Sequence, residues 1–216
     1  SWESGISNYW GNRLFQRALK SETFRKELDD AIQDLRAKLT PDYLSQEVAK
    51  YQATVQPYVT KEPDSTHLGL TPSQYEEVAA AIPQEIESNY QDYLDSLKKP
   101  MPFFIGIPEK DENGKLKVRW DAAYDLKGQK MTYKVEVAKD FEFKDVIHTE
   151  EGLSLPETVL DMPEKGHYFA RVTATNEAGE SRDAFDYYVT EAGKHFGVKS
   201  FFIQSDGKIS EDVYEE

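Results

Sequence analysis

The chain has 216 residues, with 40 Asp and Glu against 26 Lys and Arg, a net charge of −14 and no cysteine. This length predicts one or two domains, with enough material for a core. The absence of cysteine excludes disulfides, thiolate nucleophiles and cysteine-ligated zinc. The excess of acids, among which the bases are dispersed, disfavours nucleic acids and anionic membrane surfaces as partners.

The first half of the chain has the apolar spacing of amphipathic helices, because apolar side chains recur every three or four residues from Trp10 to Leu97. Ser21, Thr40-Pro41 and Thr71-Pro72 are typical helix starts, and Gln74 completes a capping box with Thr71. Internal prolines at 57 and 83 are expected to end or kink their helices. The pattern predicts an all-α segment over residues 1–99.

The side chains of this half suggest packing more than chemistry. His67 is the only histidine before residue 100, and without a second ligand in helical register we interpret it as a surface residue. The tyrosines along the helices suit a half-buried face, and a sugar-stacking platform is the alternative.

The periodicity changes at Lys98-Lys-Pro-Met-Pro102, where two prolines stop the helix. Alternating apolar and polar residues then predict seven short strands, separated by polar turns that contain Gly or Asn. The strands are expected at 103–107, 116–120, 131–137, 146–148, 158–160, 168–175 and 184–189. The fold class is therefore α + β, with an antiparallel β-sandwich over residues 100–192. Residues 193–216 are expected to form a C-terminal extension, with a solvated acidic tail from Ser205 to Glu216.

The segment from Leu160 to Ser181 resembles the signature of the fibronectin type III family. The resemblance covers residues 101–191 and places a corner tyrosine at Tyr168 and a core tryptophan at Trp120. It marks Arg171, Asn176 and Gly179 as further structural positions. The connection from Leu160 to Tyr168 is slightly longer than in that family. The resemblance implies an immunoglobulin-like spacer or adhesion module.

The second half offers no recognisable catalytic arrangement. Three acids, Asp121, Asp125 and Asp140, either line a solvated rim or gather to hold calcium, and their spacing favours the rim. The histidines at 148, 167 and 195 lie on separate strands and turns, so no Ser-His-Asp set can be assembled. We therefore predict no catalytic residue, no metal ligand and no cofactor in this chain.

Residues 8–99 also resemble the C-terminal part of CotH-family proteins. The resemblance rests on the segment Asn8-Tyr-Trp-Gly-Asn-Arg-Leu-Phe-Gln-Arg-Ala-Leu-Lys-Ser-Glu-Thr-Phe-Arg25, on the two Thr-Pro helix starts and on Pro100-Met-Pro-Phe-Phe-Ile-Gly106. It implies a bacterial spore-coat, cell-surface or extracellular protein with an atypical kinase-like domain upstream. Nucleotide and metal ligands of that family lie upstream, so the resemblance carries none of them onto this chain.

These observations favour an interaction module within a longer polypeptide, since the chain opens on Ser1-Trp2-Glu3 without an initiator Met or a signal peptide. Its expected partners are an upstream domain of the same polypeptide and other proteins. A carbohydrate-binding or adhesion module, with a polysaccharide ligand at the cell surface, is the first alternative. A free-standing hydrolase that uses paired carboxylates is the second. No apolar run is long enough to span a bilayer, so no membrane insertion is expected.

Overall fold

The structure, a computed structural model, describes residues 5–211. The chain divides into a helical unit, residues 3–96, and a β unit, residues 97–216. The predicted order of a helical segment followed by antiparallel sheets is confirmed, because the helices end at Ser96 and the first strand begins at Glu109.

The helical unit begins with a 3-10 helix over Gly5–Tyr9 and continues with five α-helices. These are α1 (Arg13–Lys20), α2 (Glu22–Lys38), α3 (Pro41–Val59), α4 (Ser65–Leu68) and α5 (Pro72–Ser96).

The predicted helix caps are present in the structure. The hydroxyl groups of Ser21, Thr40 and Thr71 each accept a 3.3 Å hydrogen bond from the backbone N–H three residues later. Oε1 of Gln74 accepts the backbone N–H of Thr71 at 2.9 Å, which closes the capping box. Helix α3 ends at Val59, two residues after Pro57, whereas Pro83 lies inside α5 and does not end it.

The β unit contains two antiparallel sheets and a separate hairpin. Its strands are β1 (Glu109–Lys110), β2 (Leu116–Arg119), β3 (Met131–Ala138), β4 (Val146–Leu153), β5 (Glu157–Leu160), β6 (Gly166–Asn176), β7 (Ser181–Asp183), β8 (Tyr187–Thr190), β9 (Gly193–Phe196), β10 (Lys199–Ile203) and β11 (Ile209–Ser210). One sheet has the order β1-β2-β5 and the other has the order β11-β10-β6-β3-β4, with β7 beside β6. Strands β8 and β9 pair with each other in a two-stranded sheet.

The core of the β unit consists of inward-facing residues from both sheets, as the alternation of each strand requires. Trp120 lies beside Tyr133 in an edge-to-face contact, with ring centroids 5.5 Å apart. Both rings are almost completely buried. The other large members of this core are Phe103, Ile105, Leu116, Val118, Val135, Val137, Leu160, Tyr168, Val172, Phe201 and Ile203.

The segment 103–107 differs from its prediction. It is extended and alternates between buried Phe103, exposed Phe104 and buried Ile105, but it forms only one bridge, between Ile105 and Trp120. Prolines at 102 and 108 flank it, and they lack the N–H that a ladder needs. Its amides bond partly to side chains instead, and Ile105 N–H donates to Asp186 at 2.7 Å.

The strand predicted at 184–189 is also different, because the last strand of the sandwich is split. Strand β7 pairs with the end of β6, and β10 resumes pairing on the same side of β6 with Lys199 opposite Ala170. The intervening chain leaves the sheet and forms the β8–β9 hairpin.

Part of the expected C-terminal extension belongs to the sheet. Strand β10 pairs with β6, and β11 pairs with β10 after a turn at Gly207. The expected acidic tail thus begins as a hairpin strand, and residues 212–216 lie outside the described residues.

Candidate functional site

The helical unit contains an open apolar groove between α2 and the C-terminal half of α5, which we call the α2–α5 groove. Its volume is about 730 Å³. Its walls are formed by residues of the 3-10 helix, α1, α2, the residue after α2, and α5, namely Gly5, Ile6, Asn8, Tyr9, Phe15, Leu19, Phe24, Leu28, Ile32, Leu35, Arg36, Leu39, Ile86, Asn89, Tyr90 and Tyr93.

Several large side chains of this groove face outward. Leu35 is 54% exposed and Tyr9 is 58% exposed, and neither α2 nor α3 contains a fully buried residue. An amphipathic helix normally buries its apolar stripe against a neighbour. The helices of this unit leave much of that stripe uncovered.

Polar side chains hold α2 and α5 together along one edge of the groove. A guanidinium nitrogen of Arg36 lies 2.5 Å from Oε2 of Glu87, and the same guanidinium lies 3.8 Å from the ring centroid of Tyr90. Nε2 of Gln33 donates to the Tyr90 hydroxyl at 2.5 Å. Hydrogen bonds from Gln91 and then from Arg36 hold the pKa of Glu87 below its ordinary value.

The floor of the groove contains Tyr93, which is almost completely buried and stacks on Tyr90 with ring centroids 6.2 Å apart. Burial raises the pKa of Tyr93, and the negative charge of Asp29 raises it further.

A second apolar surface lies between α3 and the N-terminal half of α5. It is shallower, with a volume of about 260 Å³, and is lined by Val48, Tyr51, Gln52, Val55, Tyr75, Val78, Ala79 and Ile82. Tyr51 and Val78 are more than half exposed here. Helix α5 thus contributes to both apolar surfaces of the unit.

Helix α5 carries charge of only one sign. Its 25 residues contain six acids and neither Lys nor Arg. The acids are Glu76, Glu77, Glu85, Glu87, Asp92 and Asp95. Among the carboxylates close to the α2–α5 groove, that of Glu87 is paired with Arg36.

The sandwich positions singled out in the sequence have structural partners in the β unit. The Tyr168 hydroxyl donates to the carbonyl oxygen of Glu164 at 3.0 Å. Trp120 is 5% exposed, and its indole N–H has no hydrogen-bond partner among residues 5–211. Arg171 donates from Nε and Nη2 to Oε2 of Glu136 at 3.0 and 2.7 Å, and its guanidinium lies over the Phe143 ring.

Asn176 ties together two loops at one end of the sandwich. Its Nδ2 donates to the Lys98 carbonyl at 2.9 Å and to Oδ2 of Asp125 at 3.0 Å. Its Oδ1 accepts the backbone N–H groups of Ala178 and Glu180. Gly179 closes this turn with a φ of +84°, a conformation that favours glycine.

The three acids considered for calcium are not grouped, and Asp125 and Asp140 cap turns. Asp125 is buried and accepts the backbone N–H groups of Lys127 and Gln129. Backbone N–H groups of Asp145, Lys144 and Glu142 lower the pKa of Asp140. Asp121 accepts the backbone N–H of Phe104. Across the described part of the chain, no three His, Asp or Glu side chains are grouped as a metal site would require.

The histidines of the β unit make separate contacts. His167 stacks on Phe202 at 4.0 Å and bonds to the Ser200 hydroxyl through Nε2 at 2.8 Å, and burial lowers its pKa. His195 bonds to the Thr190 hydroxyl at 2.8 Å. Within residues 5–211, no hydrogen bond joins a carboxylate to either ring, and Nε2 of His148 on β4 lies 3.8 Å from Oε2 of Glu150 without a hydrogen bond.

The β8–β9 hairpin has two different faces. Its inner face places Tyr188 against Phe169, with ring centroids 5.0 Å apart. Its outer face exposes Tyr187, Val189 and Phe196, and the two rings contact each other edge to face at 6.3 Å. The ammonium group of Lys194 lies 4.2 Å from the Tyr187 centroid. The sequence predicts a strand at 184–189, but this exposed patch was not predicted.

Two partly buried charges, Asp186 and Arg182, were not anticipated from the sequence. Asp186 accepts the Ile105 N–H and lies 3.6 Å from Nζ of Lys199, and burial raises its pKa. Arg182 donates from Nε to the Pro100 carbonyl at 2.5 Å, and burial lowers its pKa to about 10. Each side chain fixes an irregular segment to the sandwich, and nothing in their spacing along the chain signals this.

The helical unit that contains the groove matches a known protein family. Residues 1–93 match the family model described as CotH kinase protein. The resemblance to the CotH family predicted from the sequence is confirmed over these residues, which make up a little less than half of the chain. Every residue that lines the α2–α5 groove lies inside the CotH match. No curated protein and no solved structure matches the chain.

Residues 97–211 of the β unit lie outside the CotH match. Within the described residues, none of the helices combines the length and apolar character needed to cross a lipid bilayer.

Proposed function

We propose that this chain is a non-catalytic interaction module of a CotH-like protein of the bacterial spore coat or cell surface. Its helical unit docks on a kinase-like domain of the same polypeptide. Its β unit is a fibronectin type III-like sandwich that acts as a spacer or binding module.

The observation that carries this proposal is the uncovered apolar surface of the helical unit. Burial of apolar surface is the main favourable contribution to folding and association. A soluble protein rarely exposes a contiguous apolar patch of this kind unless a partner covers it. The CotH match spans the same residues, which supports a kinase-like domain as that partner.

Three features support the fibronectin-like reading of the β unit. The strand order, with β1-β2-β5 facing the longer sheet, is that of an immunoglobulin-like sandwich. The bond from Tyr168 to the Glu164 carbonyl has the form of a tyrosine corner. Trp120 lies in the core between the sheets. A spacer or binding role for such a fold remains part of the proposal, because folds of this type host many functions.

The proposal is tested by mixing the chain with the kinase-like domain of the polypeptide that contains it, and measuring binding by sedimentation velocity. We expect a one-to-one complex, and ATP-dependent phosphoryl transfer only in samples that contain the kinase-like domain. Failure to associate would refute the docking. Phosphoryl transfer by this chain alone would refute the non-catalytic role.

A carbohydrate-binding role is the second candidate, and the outer face of the β8–β9 hairpin favours it. Tyr187 and Phe196 form a contiguous exposed aromatic pair, and aromatic faces are suitable surfaces for sugar rings. Pull-down on insoluble chitin and cellulose tests this role. Retention that is lost in Tyr187→Ala and Phe196→Ala, but kept in Tyr124→Ala on another exposed ring, would support it. Equal behaviour of all three variants would refute it.

A further inference from the structure

The α2–α5 groove has the length of a helix binding site. Its apolar row consists of Leu39, directly after α2, and four residues of α2, namely Phe24, Leu28, Ile32 and Leu35. The spacing of four, four, three and four residues keeps this row on one side of the helix. A row from residue 24 to residue 39 is about 22 Å long at 1.5 Å per residue.

The walls of the groove favour one backbone conformation in a bound segment. The groove is lined by helices, whose own backbone groups are already hydrogen-bonded along most of their length. An extended strand placed here would bury its N–H and C=O groups against apolar side chains, without partners. A helix satisfies its own backbone groups, and its side-chain ridges fit between the ridges of α2 and α5. The groove therefore favours a helical occupant.

The charge beside the groove favours one sign of charge on the polar face of the bound helix. The C-terminal half of α5, beside the groove, contains no base and carries Glu85 and Asp92. Arg36, which lines the groove, is paired with Glu87. A partner with Lys and Arg beside its apolar stripe would complement these carboxylates. A second copy of this chain would instead place one acidic α5 close to another, and the net charge of −14 adds to that repulsion.

We infer that the α2–α5 groove binds a basic amphipathic helix. This inference rests on the proposed function, in which the helix belongs to the kinase-like domain, and it specifies how the docking is made. The apolar face of the helix covers the row from Phe24 to Leu39 and the facing residues Ile86 and Tyr93. Its basic residues lie beside α5.

The inference is tested with two synthetic helical peptides that share one leucine face. One carries lysine at all other positions and the second carries glutamate. Binding to the full chain is measured by fluorescence anisotropy at low and high salt. We expect the lysine peptide to bind at least about tenfold more tightly than the glutamate peptide at low salt, with a smaller difference at high salt.

Matched leucine variants show where the peptide binds. Leu35 lines the groove and is 54% exposed, whereas Leu14 on α1 is 71% exposed and lines neither apolar surface. Leu35→Asp is expected to weaken lysine-peptide binding about tenfold, because it places a charge in the apolar row, while Leu14→Asp leaves binding within about twofold. Circular dichroism verifies that both variants keep their helices.

A second pair of variants changes charge without changing the packing of the groove. Glu85→Gln and Asp92→Asn on α5 are expected to weaken binding of the lysine peptide and to leave binding of the glutamate peptide unchanged. Equal binding of the two peptides, or equal effects of Leu35→Asp and Leu14→Asp, would overturn the inference. A dimer in light scattering that Leu35→Asp dissociates would overturn it as well, because a second copy would then be the occupant.

The outcomes also separate this inference from the proposed function. If the chain binds the kinase-like domain and the lysine peptide does not compete, the groove inference fails and the docking stands. If the lysine peptide binds the groove and the kinase-like domain does not bind the chain, the proposed function fails.

Discussion

The hydroxyl group of Tyr168 donates a hydrogen bond to the carbonyl oxygen of Glu164, four residues earlier, at 3.0 Å. The ring of Tyr168 is 4% exposed and stacks on Phe201 of the neighbouring strand β10, with centroids 5.9 Å apart. One side chain therefore joins the loop before β6 to the core and to strand β10.

Removing this hydroxyl group should weaken the loop without disturbing the core. Tyr168→Phe is expected to lower the free energy of unfolding of the β unit by about 1 kcal/mol, the usual contribution of one hydrogen bond. Urea unfolding followed by the indole NMR signal of Trp120 measures the change. Tyr187→Phe, on an exposed ring, is the control and should have almost no effect. A loss as large in Tyr187→Phe would contradict the corner role.

Replacing Asn176 by a carboxylate should disrupt the loops that it joins. Asn176→Asp places a second carboxylate 3.0 Å from Asp125 and removes both donors of the amide. We expect a loss of about 2 kcal/mol or more at neutral pH. The loss should become smaller in acid, since two close carboxylates can share one proton.

The matched control for this change is Asn113→Asp, in an exposed turn of the same unit. Unfolding of both variants is measured at neutral and at mildly acidic pH. Equal stability of Asn176→Asp and the native chain at neutral pH would show that the Asn176 contacts contribute nothing.

The cost of replacing Gly179 should come from its backbone conformation alone. Its φ is +84°, and a Cβ atom added there would meet nothing within 4 Å. Gly179→Ala is therefore expected to cost about 1 to 2 kcal/mol from the left-handed conformation itself. Gly106→Ala serves as the control, because Gly106 has no positive φ and its Cβ would make only an ordinary contact at 3.5 Å. Thermal unfolding of the two variants should separate them clearly.

The stability of the β unit should depend on the protonation of His167. Burial lowers the pKa of His167 below its ordinary value of 6.5, so the folded protein favours the neutral ring. Well above pH 6.5 the ring is neutral in both the folded and the unfolded state, so its contribution to the free energy of unfolding is complete. As the pH falls below 6.5, the unfolded chain takes up a proton first and the free energy of unfolding declines, until the folded pKa is reached.

Two groups that can titrate lie near this ring or its aromatic layer. Tyr188 of β8 contacts His167 at 5.8 Å between centroids, and His195 of β9 lies against Phe141 in the same layer. Comparing His167→Phe with the native chain isolates the contribution of His167, because the other groups are common to both. The decline in stability from pH 7.5 to pH 5, both chosen to bracket about 6.5, should be smaller in the variant. An NMR titration midpoint for His167 above 6.5 would contradict this account.

The helix caps illustrate which parts of the fold can be predicted locally. Thr71 and Gln74 satisfy each other's backbone N–H groups within four residues, so the start of α5 follows from a short stretch of sequence. The alternation from Met131 to Val137 similarly determines strand β3. The capping interactions lie close together along the chain, and the alternation of β3 is contained in the strand itself, although its ladder partners on β6 are distant in sequence.

The split of the last strand could not be predicted in this way. The alternation through Tyr187 and Val189 is correct for β8, but the partner of β8 is β9, and only the hydrogen-bond register shows that β10 replaces it beside β6. Periodicity identifies a strand and the face that it buries, and it does not identify the neighbour.

The amino-acid sequence by itself determined that helices precede strands, where several of them begin, and that residues 8–99 resemble a CotH region. Only the tertiary structure decided that the row from Phe24 to Leu39 lines an open groove. An apolar stripe has the same period whether a neighbouring helix covers it or not, because its period depends on the helix and its burial depends on distant residues.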